Sequence, residues 1–145
     1  MERFLLVLAA LFVAGMMAYA IMLAPPVDRL SMDPAVLEQI SHDVPENAWF
    51  QEEVLESQVP VLVDFKAVWC GPCKILKASI DIVADKHAGA FKVVQVDVDE
   101  HEDLASHFQA QAIPMVLWFE NGVAVDGFVG AVKSPELEKF VDRNL

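Results

Sequence analysis

Two cysteines, Cys70 and Cys73, lie three residues apart in the run WCGPCK, and the 145-residue chain has no others. Thiols at this spacing can close a small disulfide ring, and a dithiol that opens and closes is a two-electron redox group. An apolar, strand-like stretch from Val59 to Phe65 precedes the pair, and a helical pattern follows it. In this context a CxxC pair indicates redox chemistry rather than metal binding.

The start of a helix would give the two thiols different roles. Cys70 would sit beside unsatisfied backbone N–H groups and the positive end of the helix dipole, and both favour the thiolate. We expect Cys73, one turn further in, to be less exposed and to resolve the intermediate. Pro72 suits the first helical turn, where no N–H is needed, and Gly71 allows a partner chain to come close.

Asp64 stands in the apolar strand six residues before Cys70. It could be a strand-end residue that reaches solvent, but its apolar neighbours Val63 and Phe65 favour burial. A carboxyl group buried without a cation has a raised pKa, and it could take a proton from Cys73 during the reaction.

Other residues near the pair leave alternatives open or exclude chemistry. Trp69 is either an exposed docking face or part of the core, and the first is favoured. Pro114, after Ile113, suits a trans proline at the start of a strand, although a cis bond would be a deliberate feature. We expect no metal and no cofactor, because there is no second CxxC and Lys74 stands where haem attachment needs histidine.

The N-terminal segment from Phe4 to Ala24 has no charged residue over 21 positions, which is enough to span a bilayer. We favour a retained transmembrane helix at residues 1–24, inserted in the lipid bilayer through residues 4–24. The alternative is a cleaved signal peptide with a cut after Ala18-Tyr19-Ala20. Because the only nearby base before the segment is Arg3, the domain is expected outside a bacterial inner membrane, in the periplasm. The net charge of −12 argues against nucleic acid.

The remaining pattern predicts an acidic linker at residues 25–38 and one domain at residues 39–145. Its elements alternate as β-α-β-α-β-α-β-β-α, which predicts a mixed sheet with helices on both faces. The predicted elements are a short helix after Asp33-Pro34, a weakly signalled strand from Ile40 to Val44, a helix within 47–57, strands at 59–65 and 91–98, a helix at 70–87, a helix through Phe108 capped by Asp99, strands at 115–119 and 123–129 around Asn121-Gly122, and a last helix opened by Ser134-Pro135. In the helix at 70–87, the residues expected to face the core are Ile75, Leu76, Ile80, Ile82 and Val83.

Residues 61–145 resemble a thioredoxin. The segments VLVDF and WCGPCK, the pair Ile113-Pro114, the Asn121-Gly122 hairpin, Gly130 and the final helix follow the order and spacing of that family. The resemblance covers about 100 of the 145 residues if residues 40–57 supply a first strand and helix. It implies the thioredoxin α/β fold, in which helices flank a central mixed β-sheet.

The resemblance also implies roles for individual residues. Cys70 attacks a protein disulfide, Cys73 resolves the mixed disulfide, and Asp64 relays the proton. Pro114 is implied to be a cis-proline. The residues implied to contact the substrate chain are Trp69, Gly71, Pro72, Ile113, Pro114 and Gly130.

Three residues depart from the family pattern. Lys66 replaces a common tryptophan, and it could favour the Cys70 thiolate or point outward, which we prefer. Gln95 replaces a lysine that often partners the buried aspartate, so Asp64 should be protonated more readily. Ala78 replaces a helix-kinking proline.

The leading hypothesis is a membrane-tethered thiol–disulfide oxidoreductase that reduces protein disulfides and receives electrons from another membrane protein. The Gly71-Pro72 pair resembles that of reducing family members. The alternative is an accessory subunit of a larger membrane complex, in which the dithiol has a structural or sensing role.

Overall fold

The computed structural model describes residue 13, residues 15 and 16, and residues 31–145. Both alternatives for residues 1–24 therefore lie almost wholly outside the described residues. Among the residues that are described, no helix has the length and apolar character needed to cross a membrane.

The described part of the chain folds into helices and strands close to the predicted order. The helices are α1 (Pro34–Ile40), α2 (Ala48–Phe50, continued by a π-helical turn at Gln51–Leu55), α3 (Gly71–Lys86), α4 (Glu102–His107) and α5 (Ser134–Asn144). The strands are β1 (Val61–Lys66), β2 (Lys92–Asp97), β3 (Met115–Glu120) and β4 (Val123–Val129).

The strands form one mixed sheet in the order β2-β1-β3-β4. Strand β1 runs parallel to β2 and antiparallel to β3, and β3 and β4 form an antiparallel hairpin. In the parallel pair, Asp64 lies opposite Gln95, and Lys66 lies opposite Asp97. Successive side chains of a strand alternate between faces, so these four polar residues share one face of the sheet.

Apolar clusters cover both faces of the sheet, as a layered α/β fold requires. One cluster includes Val63, Phe65 and the aromatic rings of Phe50 and Phe108, whose centroids lie 5.4 Å apart. The other joins α3 and α5 to the sheet through Leu62, Trp118 and Phe140. The second cluster holds α3, and with it the cysteine pair, against the face that carries Asp64 and Lys66.

The predicted strand from Ile40 to Val44 is absent, because Ile40 is the last residue of α1. The helix is well specified locally. The side chain of Asp33 accepts a hydrogen bond from the backbone N–H of Ala35 (2.8 Å), and a proline occupies the first turn. Leu37 and Ile40 are buried three residues apart on one side of α1.

Helix α1 packs beside β4, at the end of the sheet opposite β2. The hydroxyl of Ser41 donates to the carbonyl of Leu37 (2.7 Å) and accepts from the backbone N–H of Ala124 (3.2 Å). Ser31 reaches the buried Asp126 of β4 (3.3 Å). The last residues of the predicted linker and the start of the predicted domain thus lie against the sheet.

The helix cap predicted at Asp99 is also wrong. Helix α4 begins at Glu102, with His101 at the N-cap position and no side-chain cap. The carboxylate of Asp99 instead accepts a hydrogen bond from the indole N–H of Trp69 (2.8 Å). A long-range partner therefore replaces the local cap.

The inward face of α3 is narrower than predicted. Leu76, Ile80 and Val83 are buried, but Ile75 and Ile82 are 58% and 59% exposed. The buried residues follow the 3–4 spacing of one helical stripe, and the other two lie beside its edge.

The hairpin between β3 and β4 matches its prediction. Asn121 and Gly122 have φ angles of 51° and 80°. Positive φ at both central residues is what a type I′ turn requires.

Candidate active site

Cys70 and Cys73 form a disulfide at the start of α3, with their Cα atoms 5.3 Å apart. Cys70 is the N-cap residue of the helix, and its sulfur accepts a hydrogen bond from the backbone N–H of Cys73 (3.2 Å). The predicted placement at a helix N-terminus is confirmed. The expected difference in exposure is absent, since Cys70 is 4% and Cys73 5% exposed. Both cysteines pack in one cluster with Ala67.

The loop before β3 meets the disulfide from the other side. The Ile113–Pro114 peptide bond is cis, as the family resemblance implied. Ile113 packs against the cluster of Ala67 and the two cysteines. The backbone N–H of Gly130 donates to the carbonyl of Pro114 (2.8 Å), so this predicted residue also lies at the site.

Exposed residues surround the disulfide on the side of its own helix. Trp69 is 70% exposed, as predicted, and its ring is held by the hydrogen bond to Asp99. Gly71 and Pro72 are exposed in the first turn of α3, and a Cβ on Gly71 would meet no heavy atom within 4 Å. The structure thus brings the predicted contact residues around one surface.

Asp64 is fully buried in β1, which confirms the burial interpretation. Its Oδ2 accepts a hydrogen bond from the side-chain amide of Gln95 (3.0 Å), and its Oδ1 has no hydrogen-bond partner among the described residues. Burial raises the pKa of Asp64 to about 6, against the opposing effects of the Gln95 hydrogen bond and the Lys66 and Lys77 charges. The neutral acid is therefore accessible near neutral pH.

Lys66 forms an ion pair that neither of its predicted alternatives included. Its ammonium group pairs with Asp97 across the parallel strands at 3.2 Å and is partly shielded from solvent. The backbone N–H of Asp99 holds the pKa of Asp97 below its usual range, with help from Lys66 and against the effect of burial. The sequence did not reveal the Lys66–Asp97 pair, because recognising it requires knowing the register of β1 against β2.

A pocket of about 320 Å³ opens beside Cys73. Its polar lining comes from Lys66, Lys74, Lys77 and Gln95. Lys77 was not recognised from the sequence, although its position four residues after Cys73 places both on neighbouring turns of α3.

One group of described residues has the types that could bind a metal. Ligand atoms of His87, Glu138 and Asp142 lie within 4.8 Å of one another, far from the cysteine pair along α3. Lys86 forms an ion pair with Glu138 there, and His87 lies 3.4 Å from Asp142. The group links the end of α3 to α5 through the Lys86–Glu138 ion pair and the His87–Asp142 contact.

The fold and site together define a class of protein. A mixed sheet lies between helices, a CxxC disulfide caps the first long helix, and a cis-proline loop faces it. A buried carboxyl group lies on the strand that leads to the pair. These are the features of a thioredoxin-like thiol–disulfide oxidoreductase.

Comparison with known proteins agrees. The thioredoxin family model matches residues 41–143, so the chain belongs to the thioredoxin family. Bovine (Bos taurus) mitochondrial thioredoxin is 45% identical over 94 residues, which is 65% of this chain and 57% of that protein. Thioredoxin 1 of Synechococcus elongatus is 42% identical over 99 residues, which is 68% of this chain and 92% of that protein. The spinach (Spinacia oleracea) chloroplastic M-type thioredoxin is 40% identical over 103 residues, 71% of this chain and 56% of that protein. The matched part thus spans little more than half of the bovine and spinach relatives.

Proposed function

We propose that this chain reduces disulfides in protein substrates at the outer face of a bacterial inner membrane. The observation that carries the reaction is the Cys70–Cys73 pair at the N-terminus of α3, opposite the cis Pro114 loop and in front of the buried Asp64. The reduced dithiol donates two electrons, and a membrane protein with its own dithiol restores them.

The reaction begins with the thiolate of Cys70. It attacks one sulfur of the substrate disulfide, forms a mixed disulfide and expels the other substrate sulfur as a thiolate, which takes a proton. The unsatisfied N–H groups of the first turn of α3 stabilise the Cys70 thiolate, as the 3.2 Å hydrogen bond from Cys73 illustrates.

Cys73 completes the exchange. Its thiol gives its proton to Asp64, and the resulting thiolate attacks the sulfur of Cys70. The mixed disulfide breaks, the Cys70–Cys73 bond forms, and the second substrate sulfur leaves as a thiolate, which takes a proton from solvent. With a pKa of about 6, the Asp64 carboxylate is largely ionised at pH 7 and can accept the proton.

The substrate chain would bind across the surface that surrounds the disulfide. Ile113 offers its backbone next to Pro114, and Gly71 leaves open space for a neighbouring chain. Trp69 and Gly130 border this surface, and Pro72 stiffens the loop between the cysteines.

The direction of the reaction and the location rest on the sequence. The Gly71-Pro72 pair resembles that of reducing relatives. The uncharged run from Phe4 to Ala24 supports a single membrane anchor, and Arg3 supports a cytoplasmic N-terminus. If residues 1–20 are instead a cleaved signal, the domain is soluble in the periplasm.

Insulin reduction tests the activity. The purified full chain, supplied with dithiothreitol, should accelerate insulin precipitation. The Cys70→Ser variant should be inactive, the Cys73→Ser variant should accumulate a mixed disulfide, and Ala90→Ser, at an exposed distant turn, should match wild type. No turnover by the wild type would refute the proposal and favour the accessory-subunit alternative.

Membrane extraction tests the location. The full chain expressed in a bacterium should stay in the membrane pellet at alkaline pH, and protease added to spheroplasts should digest its domain. Replacing Leu11 with Arg in the uncharged run should weaken membrane retention. A soluble periplasmic product that begins at Ile21 would support the cleaved signal instead.

A further inference from the structure

The pocket beside Cys73 has a charge opposite to that of the whole chain. The protein carries 22 acidic and 10 basic residues. The pocket lining nevertheless includes Lys66, Lys74 and Lys77 and no carboxylate. The lysine charges favour an anionic ligand in this pocket, immediately beside the reacting cysteine pair.

The three lysines differ in the strength of their ion pairs within the protein. Lys66 is paired with the buried Asp97 at 3.2 Å. Lys77 pairs with Asp81 at 2.7 Å, but both side chains are more than half exposed, and such pairs hold their partners weakly. Lys74 is exposed and has no ion-pair partner among the residues that the structure describes. Two of the three ammonium groups can therefore turn toward a ligand at little cost.

We propose that this pocket binds a carboxylate side chain of the substrate polypeptide, so that the protein favours disulfides with an aspartate or glutamate next to the attacked cysteine. The inference rests on the proposed function and names its substrate class. Lys74 and Lys77 are exposed on α3, one and four residues after Cys73, and Cys73 itself lines the same pocket.

The net charge of −12 does not oppose this preference at physiological salt. The Debye length is about 8 Å at 0.15 M ionic strength, so distant carboxylates are screened from a ligand in the pocket. Lysines in contact with the ligand lie within that length and are screened much less. The preference should therefore appear near 0.15 M salt and fade at about 1 M, where the Debye length is about 3 Å.

Two disulfide peptides provide the test. They share one intramolecular disulfide and differ only in a glutamate or a glutamine beside the attacked cysteine. The reduced full chain is mixed with each peptide at 0.15 M salt, and single-turnover second-order rate constants are measured. We expect the glutamate peptide to react about five-fold faster, the scale of one or two exposed ion pairs.

A charge-matched pair of variants assigns the effect to the pocket. In Lys74→Gln/Lys77→Gln the glutamate preference should disappear, so that the two peptides react at equal rates. In Lys86→Gln/Lys139→Gln, which has the same net charge, the preference should remain. Equal rates for the two peptides in wild type, or the same preference in both double variants, would overturn the inference while leaving the proposed function intact. Failure to reduce either peptide would overturn both.

Discussion

Two cross-strand pairs of side chains set the electrostatics behind the cysteines. Asp64 receives one hydrogen bond from Gln95, while Lys66 neutralises Asp97 on the next residue of the same face. The cation nearest in register to Asp64 is thus already engaged by another carboxylate. This explains why burial prevails and raises the pKa of Asp64 to about 6.

Removing the carboxylate should slow the resolving step. In Asp64→Asn, the side chain keeps its size and can still accept a hydrogen bond from Gln95, but it cannot take the proton of Cys73. We expect release of the mixed disulfide to slow by about 100-fold near pH 7, with little change in the attack by Cys70. Stopped-flow tryptophan fluorescence and acid-quenched mass spectrometry separate these steps. Equal slowing of both steps would contradict the assigned role.

A cation introduced at position 95 should act on the same carboxyl group. Gln95→Lys puts a cation in place of the neutral donor that lies 3.0 Å from Asp64, so the pKa of Asp64 should fall below about 6. Carbon-13 NMR titration of the carboxyl group measures this directly. Gln111→Lys, which adds the same charge at an exposed loop position, should leave that titration unchanged. A similar fall in both variants would show a general charge effect.

At the scale of elements, features that depend on neighbouring residues could be predicted, whereas features that depend on distant residues could not. The cap at Asp33, the Asn121-Gly122 turn and the cysteine pair at the start of α3 could be predicted, since each depends on residues adjacent in sequence. The side chain of Asp99 has equally good local chemistry for a cap, but Trp69, thirty residues away, engages it instead. No local pattern reveals such a competitor.

The β3–β4 turn illustrates how an element depends on its neighbours. A Cβ at Gly122 would lie 2.6 Å from the carbonyl oxygen of Leu55, whereas a Cβ at Gly89 would meet no heavy atom within 4 Å. Both glycines have positive φ angles, 80° and 83°. Alanine at either position costs about 1 kcal/mol of left-handed strain, and at Gly122 the contact adds to it.

We therefore expect Gly122→Ala to lower the free energy of unfolding by about 3 kcal/mol, and Gly89→Ala by about 1 kcal/mol. Urea unfolding followed by far-UV circular dichroism gives both values. Equal losses would show that α2 yields easily at Leu55, and that backbone strain alone determines the cost.

For the whole molecule, the order of the main elements and the presence of two covered sheet faces follow from the sequence. Apolar β-branched runs alternate with helical patterns, and that alternation is sufficient to predict a layered α/β fold. The position of α1 beside β4 could not be predicted, because its amphipathic pattern shows that it buries one side but not which surface receives it. The lysine-lined pocket could not be predicted for a similar reason, since Lys66 and Lys77 come together only in the folded chain.

The raised pKa of Asp64 also affects the stability of the entire domain. The folded state binds the Asp64 proton more tightly than the unfolded state, because burial disfavours the ionised carboxylate. Below pH 3.8 the carboxyl group is protonated in both states, and Asp64 does not lower the free energy of unfolding. The penalty on folding grows between pH 3.8 and about 6, then stays constant. At pH 8 the shift from 3.8 to about 6 corresponds to about 3 kcal/mol.

Asp64→Asn should therefore be more stable than wild type by about 3 kcal/mol at pH 8 and by about half as much at pH 5. Urea unfolding at the two pH values measures the difference. Asp103→Asn, at an exposed position of α4, should show no such trend. A stability gain that is the same at both pH values would contradict the assigned origin.

The pairing of Asp64 with Gln95 and of Lys66 with Asp97 has a consequence for how the chain finds its fold. If β2 slipped by one residue against β1, Gln95 and Asp97 would turn toward the aromatic cluster of Phe50 and Phe108. Each polar group left without a partner there would cost about 1–3 kcal/mol. The valine-rich strands alone would tolerate that misalignment. The polar residues that prepare the site for proton transfer therefore also specify the register of β1 and β2 during folding.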